Sequence, residues 1–316
     1  MKCTGLMQIP AADGLFPQAI VMRGVADDSI LPTAKGDGRE IVGTMMKALN
    51  FSNVEELETV PYYELARAYN EVSPEIAKHG GYVGNSPMPN DWYMGEPLDV
   101  GFTEHAKTIP FIVGSVFGEF SFGPLPLDKG TATQEEIRNV LFSRFGDRTG
   151  ELISSFQEAY PDKNLLDIFA LDRVFRLPSV GLARLAANTG KAPAYVYNFT
   201  LEFPYQNGKS AWHCSDIPFF FHNTDIVEIC NIPEVSEKLE SQIFDAVMAF
   251  ARTGTPSHPG IPSWPAAKPD DIPTMVFDRK CEVRHNYDDE LISLYLDIAG
   301  HFSFEALAED GENIQH

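Results

Sequence analysis

Apolar residues along this chain fall into short unbroken runs separated by longer stretches of helical spacing. Leu15-Phe-Pro-Gln-Ala-Ile-Val-Met22, Ile109 to Val116 and Ala194-Tyr-Val-Tyr-Asn-Phe-Thr200 read as strands buried on both faces, the pattern of a parallel sheet. Thr274 to Phe277 and Glu282 to His285 predict two more short strands around a turn. Between the strands, residues 4–13 predict the tail of a helix that closes at Gly14. From Pro32 to about Ala77 the spacing is helical, with Ile41, Met45, Met46 and Leu49 on one face, and residues 80–99 form a long ordered loop. Thr133-Gln-Glu-Glu136 is a capping box whose helix stops at Gly146. Further helices are predicted over 150–159, 165–177, 179–188 and 291–298. Ser236 is expected to cap a helix with the apolar stripe Leu239, Ile243, Val247, Met248 and Ala251. Strands alternating with helices predict an α/β fold, a mostly parallel sheet flanked by helices, in a single domain over residues 1–316.

Composition narrows the function classes. With 316 residues and 44% hydrophobic side chains the chain can bury a large core. Its 45 acidic against 24 basic residues give a formal charge of −21, which argues against nucleic acid or anionic lipid as partner. No segment is apolar over the length needed to cross a bilayer, so no membrane partner is expected. The cysteines at 3, 214, 230 and 281 lie far apart in no C-x-x-C pair, so neither a disulfide framework nor a zinc site is signalled, and a cytoplasmic location follows as the expectation. No metal or cofactor is expected; His79, His105 and His222 lack ligand spacing.

One segment carries chemistry. In Ser210-Ala-Trp-His-Cys-Ser-Asp-Ile-Pro-Phe-Phe-Phe-His-Asn223, a histidine precedes an apolar run that anchors its loop in a core. An imidazole held still near neutral pH suits general acid–base work. Upstream, the strand ending in Gly114-Ser-Val-Phe-Gly-Glu119 brings one carboxylate to a glycine-bearing loop. Taken alone, Glu119 reads as a solvated loop acid and His213 as one of eight histidines. Asp216 is expected to make a contact within its own loop rather than to partner His213, Cys214 to point away from its neighbour, and Ser115 and Ser121 to lie outside any nucleophile turn. Trp92, Tyr93 and Phe102 read as packing residues.

Four stretches in order resemble the type B carboxylesterases, the α/β-hydrolases that include cholinesterases and para-nitrobenzyl esterases. They are Pro10 to Gly24, Gly114 to Phe120, His213 to Asn223, and Phe250-Ala-Arg-Thr-Gly-Thr-Pro256 with Ser263-Trp-Pro265. The resemblance implies a carboxylic ester hydrolase in which Glu119 orients His213 as the base of a Ser-Glu-His triad, and the acid precedes the histidine as that family's order requires. It also implies a small carboxylic ester as substrate. No Gly-x-Ser-x-Gly turn occurs in the sequence. The reading is therefore a partial α/β-hydrolase fold, its N-terminal strands and nucleophilic serine expected upstream of Met1, and inactive unless another segment supplies them. A non-catalytic binding or scaffold role is the alternative reading. The strand at 18–22 is then expected to expose an apolar edge open to self-association. Two departures from the family stand out: Gly118 and Phe120 flank Glu119 where the family usually has Asp and Gly, and Arg23 replaces a small hydroxyl residue. A buried Arg23 is expected to pair with Glu119 and compete with His213 for it.

Overall fold

A computed structural model describes residues 2–25, 36–84 and 87–300. In chain order the helices and strands are α1 (Lys2–Met7), β1 (Ala19–Met22), α2 (Arg39–Leu49), α3 (Glu56–Thr59), α4 (Tyr62–Lys78), α5 (Pro97–Val100), β2 (Phe111–Val116), α6 (Gln134–Phe145), α7 (Thr149–Ala159), α8 (Arg176–Thr189), β3 (Ala194–Phe199), β4 (Glu202–Phe203), β5 (Lys209–Ser210), α9 (Ile217–Phe220), α10 (Ser236–Thr253), β6 (Pro273–Phe277), β7 (Glu282–His285) and α11 (Asp289–Ala299). The chain divides into two compact units, Pro32–Gly95 and the remainder, Met1–Leu31 with Glu96–His316.

The larger unit is built on one sheet of order β1-β2-β3-β6-β7. β1, β2, β3 and β6 run parallel, and β7 turns back antiparallel on β6. The unbroken apolar runs become central strands because both faces are covered: β2 and β3 are buried at every position. Side chains alternate between two cores. Ile112, Val116, Tyr195, Tyr197 and Phe199 enter one, with residues of α6, α7, α10 and α11. Phe111, Val113, Ala194 and Val196 enter the other, with Leu182 and Ala183 of α8 and Met7 of α1. The outer edge of β1 has no strand partner among the described residues.

The smaller unit consists of α2, α3 and α4, closed by Ile41, Met45, Ala68 and Ile76. The helical reading of 32–77 therefore holds for residues 39–49, 56–59 and 62–78; its first four residues lie outside the described ones.

Three local expectations are corrected. The helix predicted over 165–177 is a 3-10 turn at Leu165–Ala170 followed by an extended break, and α8 starts only at Arg176. The break is held by Asp172, whose carboxylate accepts the N–H groups of Val174, Phe175 and Arg176 and so satisfies the donors at the head of α8. Ser236 is not the cap of α10: Val235 takes that place, and the Ser236 hydroxyl donates to Cys230 O and accepts from Ile232 N. The buried stripe of α10 is Leu239, Ile243, Ala246 and Phe250, while Ala251 faces solvent. The capping box at Thr133 and Glu136 is present as read.

Candidate active site

β2 runs straight into the first residue of the site. Past Val116 the chain continues through Phe117 and Gly118 to Glu119, which is fully buried. The loop before α9 is laid alongside it by backbone hydrogen bonds: Gly118 N donates to Ala211 O at 2.9 Å and His213 N to Glu119 O at 2.9 Å. This close approach explains glycine at 118. A Cβ there would stand 2.7 Å from Ala170 O and 3.1 Å from Ala211 O, both backbone atoms that cannot swing away. The departure from the family's usual Asp thus accompanies a tight, ordered junction.

The same zipper sets the side chains. His213 Nδ1 lies 2.7 Å from Glu119 Oε2, and the other carboxylate oxygen, Oε1, accepts Val116 N–H at 2.8 Å. The imidazole side chain is 32% exposed while the carboxylate is fully covered, so the ring has one nitrogen on Glu119 and an open side. Phe120, in place of the family's glycine, stacks on the imidazole with ring centroids 5.1 Å apart and planes 19° apart. Phe175 lies behind at 6.2 Å. The Phe120 ring also meets Phe122 edge-on at 5.8 Å, and Phe122 lines an open groove of about 230 Å³ with Tyr205, Trp212 and Ile229. Lys209, buried at the entry to the histidine loop, donates to Ser121 O at 2.7 Å and Gly123 O at 3.0 Å, which fastens the exit of the Glu119 loop.

Arg23 is buried and reaches Glu119 as expected, but its closer partner is Asp216. Its guanidinium pairs closely with Asp216 through Nη1 and stands 4.0 Å from Glu119 Oε2 through Nε. It does not displace His213, which keeps the shorter contact to that oxygen. Asp216, buried as well, accepts Tyr197 O–H at 3.0 Å, so its carboxylate reaches β1 and β3 rather than staying within its own loop.

Electrostatics follow from this layout. Burial pushes the Glu119 carboxyl well above the usual carboxylate range, opposed by Arg23 and the Val116 N–H. Burial, then the Arg23 cation, hold the His213 imidazole below its ordinary value, with Asp216 and Asp172 pulling the other way. Burial works against the charge on Arg23, yet Asp216, Tyr197 and Glu119 hold its proton more tightly than usual. Asp172 is a third buried acid of this group, missed in the sequence; burial and the nearby Glu119 raise it to about 8 against its three backbone donors. An acid four residues ahead of the start of α8 was the available signal.

The remaining candidates lie elsewhere or are inert. Ser115 is buried within β2 and Ser121 follows Glu119 in the loop, neither on a strand-to-helix turn. Cys214 takes a left-handed φ of 72°, and burial raises its thiol above the ordinary value. His79 meets Glu40, His105 accepts from Gly14 N, and His222 meets Glu240. Tyr93 and Phe102 are buried, whereas Trp92 is 72% exposed. Among the described residues no three His, Cys, Asp or Glu side chains are grouped to hold a metal, and no helix is long and apolar enough to cross a membrane.

Comparison with known proteins shows the family and the fold. The para-nitrobenzyl esterase of Bacillus subtilis (strain 168) is 24% identical over 295 residues, covering 92% of this chain and 58% of that protein. The phenmedipham hydrolase of Pseudarthrobacter oxydans is 23% identical over 291 residues, covering 86% of this chain and 56% of that protein. Among solved structures, an esterase from anaerobic Clostridium hathewayi, described as able to hydrolyse aliphatic aromatic polyesters, superposes with a TM-score of 0.88 at 53% identity over 94% of this chain and 60% of its own. A thermophilic para-nitrobenzyl esterase shares the fold at a TM-score of 0.62 and 21% identity. The chain thus spans a little under two thirds of each of these proteins. A sequence profile of the carboxylesterase family matches residues 3–294, and with the parallel sheet and the family's ordered stretches in place, this chain belongs to the carboxylesterase family.

Proposed function

We propose that this chain carries the proton-handling half of a carboxylic ester hydrolase, with His213 as general base and then general acid, and Glu119 as the residue that orients it. The observation that carries the reading is the 2.7 Å contact between His213 Nδ1 and a fully buried Glu119 oxygen. With Nδ1 engaged, Nε2 is the nitrogen left to take a proton from a serine hydroxyl as its oxygen attacks the ester carbonyl. The imidazolium then returns that proton to the departing alkoxide, and water repeats the cycle on the acyl enzyme. Since His213 sits below the ordinary imidazole range, it is in its neutral, accepting form at neutral pH.

No Gly-x-Ser-x-Gly turn is present in these 316 residues, so the serine comes from outside them, and the chain by itself turns over no ester. The substrate class is a small carboxylic ester with an apolar or aromatic part. Support comes from the groove of Phe122, Tyr205, Trp212 and Ile229 joined to the imidazole through Phe120, and from the polyester hydrolysis named for the 53% identical esterase.

The test is p-nitrophenyl acetate hydrolysis by the chain alone and by the chain fused behind the nucleophile-elbow portion of a para-nitrobenzyl esterase. The chain alone is expected to match buffer. The fusion is expected to turn over, and His213→Ala within it to lower kcat by about 10³-fold or more. Turnover by the chain alone that His213→Ala abolishes would refute the missing-serine reading. A fusion whose turnover ignores His213→Ala would refute the role of the histidine.

A further inference from the structure

The charged groups around the imidazole arrive from four elements: Arg23 from the end of β1, Glu119 from the end of β2, Asp172 from the segment before α8, and Asp216 from the loop before α9, where the Tyr197 hydroxyl of β3 holds Asp216 and the Cys214 thiol lies beside it. Of these, Arg23 supplies the cation, and the backbone is bent to place it. It is a non-glycine residue at φ 54°, a left-handed conformation that strains an L side chain by about 1–2 kcal/mol. Its N–H still extends the ladder to Gly114 O at 3.0 Å, so β1 ends in register before the turn.

A guanidinium does not discharge when buried, so it must be paired. Asp216 provides the direct partner, itself held by the Tyr197 hydroxyl. What remains of the Arg23 field falls on Glu119, and on the particular oxygen that faces His213 Nδ1. A cation that faces both buried carboxylates offsets their mutual repulsion and works against the protonation that burial favours. A protonated Glu119 would no longer select the imidazole tautomer with Nδ1 as donor.

Building on the general-base reading of His213, we propose that Arg23 is a positioning residue: its buried guanidinium, anchored by Asp216 and facing the Glu119 oxygen that meets Nδ1, holds the His213 ring in its neutral, proton-accepting form. Arg23 acts through Glu119 and touches no reacting atom. Burial and the cation oppose imidazolium formation, while Asp216 and Asp172 favour it, and the ring is held below its ordinary value.

The experiment is an NMR pH titration of the His213 ring in the full ¹⁵N-labelled chain. In Arg23→Met the midpoint is expected to rise by about one pH unit, a tenfold gain in proton affinity. Arg23→Lys, which keeps the charge, is expected to hold the wild-type midpoint. A purely structural Arg23 would lower stability in both variants and leave both midpoints unmoved, and that result would overturn the proposal. So would a rise in Arg23→Lys equal to that in Arg23→Met. Should Arg23→Met fail to fold, Arg23→Met/Asp216→Asn removes the buried pair together. A midpoint above wild type in that double variant supports the proposal, and one at or below wild type overturns it. The titration needs no ester turnover, so an unmoved midpoint leaves the esterase reading standing, and an inactive fusion leaves the role of Arg23 standing.

Discussion

His213, Glu119, Arg23, Asp216 and Asp172 form one charge system because the protein excludes water from all but the imidazole. In such a medium each charge is set by its neighbours rather than by its ordinary value in water. Asp172 gives the clearest consequence for stability. Its carboxyl is raised to about 8, so its contribution is complete below its unfolded value near 4 and is lost as the pH rises through 8. Urea unfolding of the wild type is therefore expected to show stability declining from pH about 5 to about 8, and Asp172→Asn to flatten that slope. The variant is also expected to lose about 1–3 kcal/mol at pH about 5, because an amide cannot accept all three N–H groups at the head of α8. An unchanged slope would show that Asp172 is ionised throughout. Nothing local in the sequence announces this residue group: Arg23 and Asp216 are 193 positions apart, and Glu119 and His213 are 94 apart. Only the family resemblance joined the latter pair. The contact of Arg23 with Glu119 was anticipated, but its closer partner Asp216 was not, because residue spacing cannot tell which of two buried acids a cation will face more closely.

At the scale of elements, the site is a seam between the end of β2 and the loop before α9, closed by Gly118. Gly118→Ala is expected to destabilise the chain by about 1–3 kcal/mol in urea, since the added methyl meets two backbone carbonyls. A neutral substitution would mean that the seam is looser than its hydrogen bonds indicate. The central strands were legible as continuous apolar runs because burial on both faces removes any alternation. α6 was legible because its capping box is written in consecutive residues. The break before α8 was not, because Leu165 to Leu177 keeps helical apolar spacing while the Asp172 side chain supplies the hydrogen bonds that end one turn and start the next. α10 was placed correctly but its buried face was read one position off, a distinction that alternating Ala and Val residues do not fix.

For the whole molecule, the opposing terms are an apolar sheet edge and a formal charge of −21. β1 presents its outer backbone without a strand partner among the described residues, which favours edge-to-edge pairing between copies. The charge opposes that pairing over roughly 10 Å at 0.1 M salt and only about 3 Å at 1 M. Light scattering is expected to report an average mass that rises with protein concentration, and more steeply at high salt. A monomeric mass under both conditions would show that the edge is covered.

The central claim is that Glu119 fixes His213 with its proton on Nδ1 and its lone pair on Nε2. The tautomer of the neutral His213 ring, read from its two ring-nitrogen ¹⁵N shifts in the intact chain, tests this most directly. The account predicts a protonated Nδ1 and a bare Nε2 in the wild type, and a mixed or reversed population in Glu119→Ala. A wild-type ring protonated on Nε2 would contradict it.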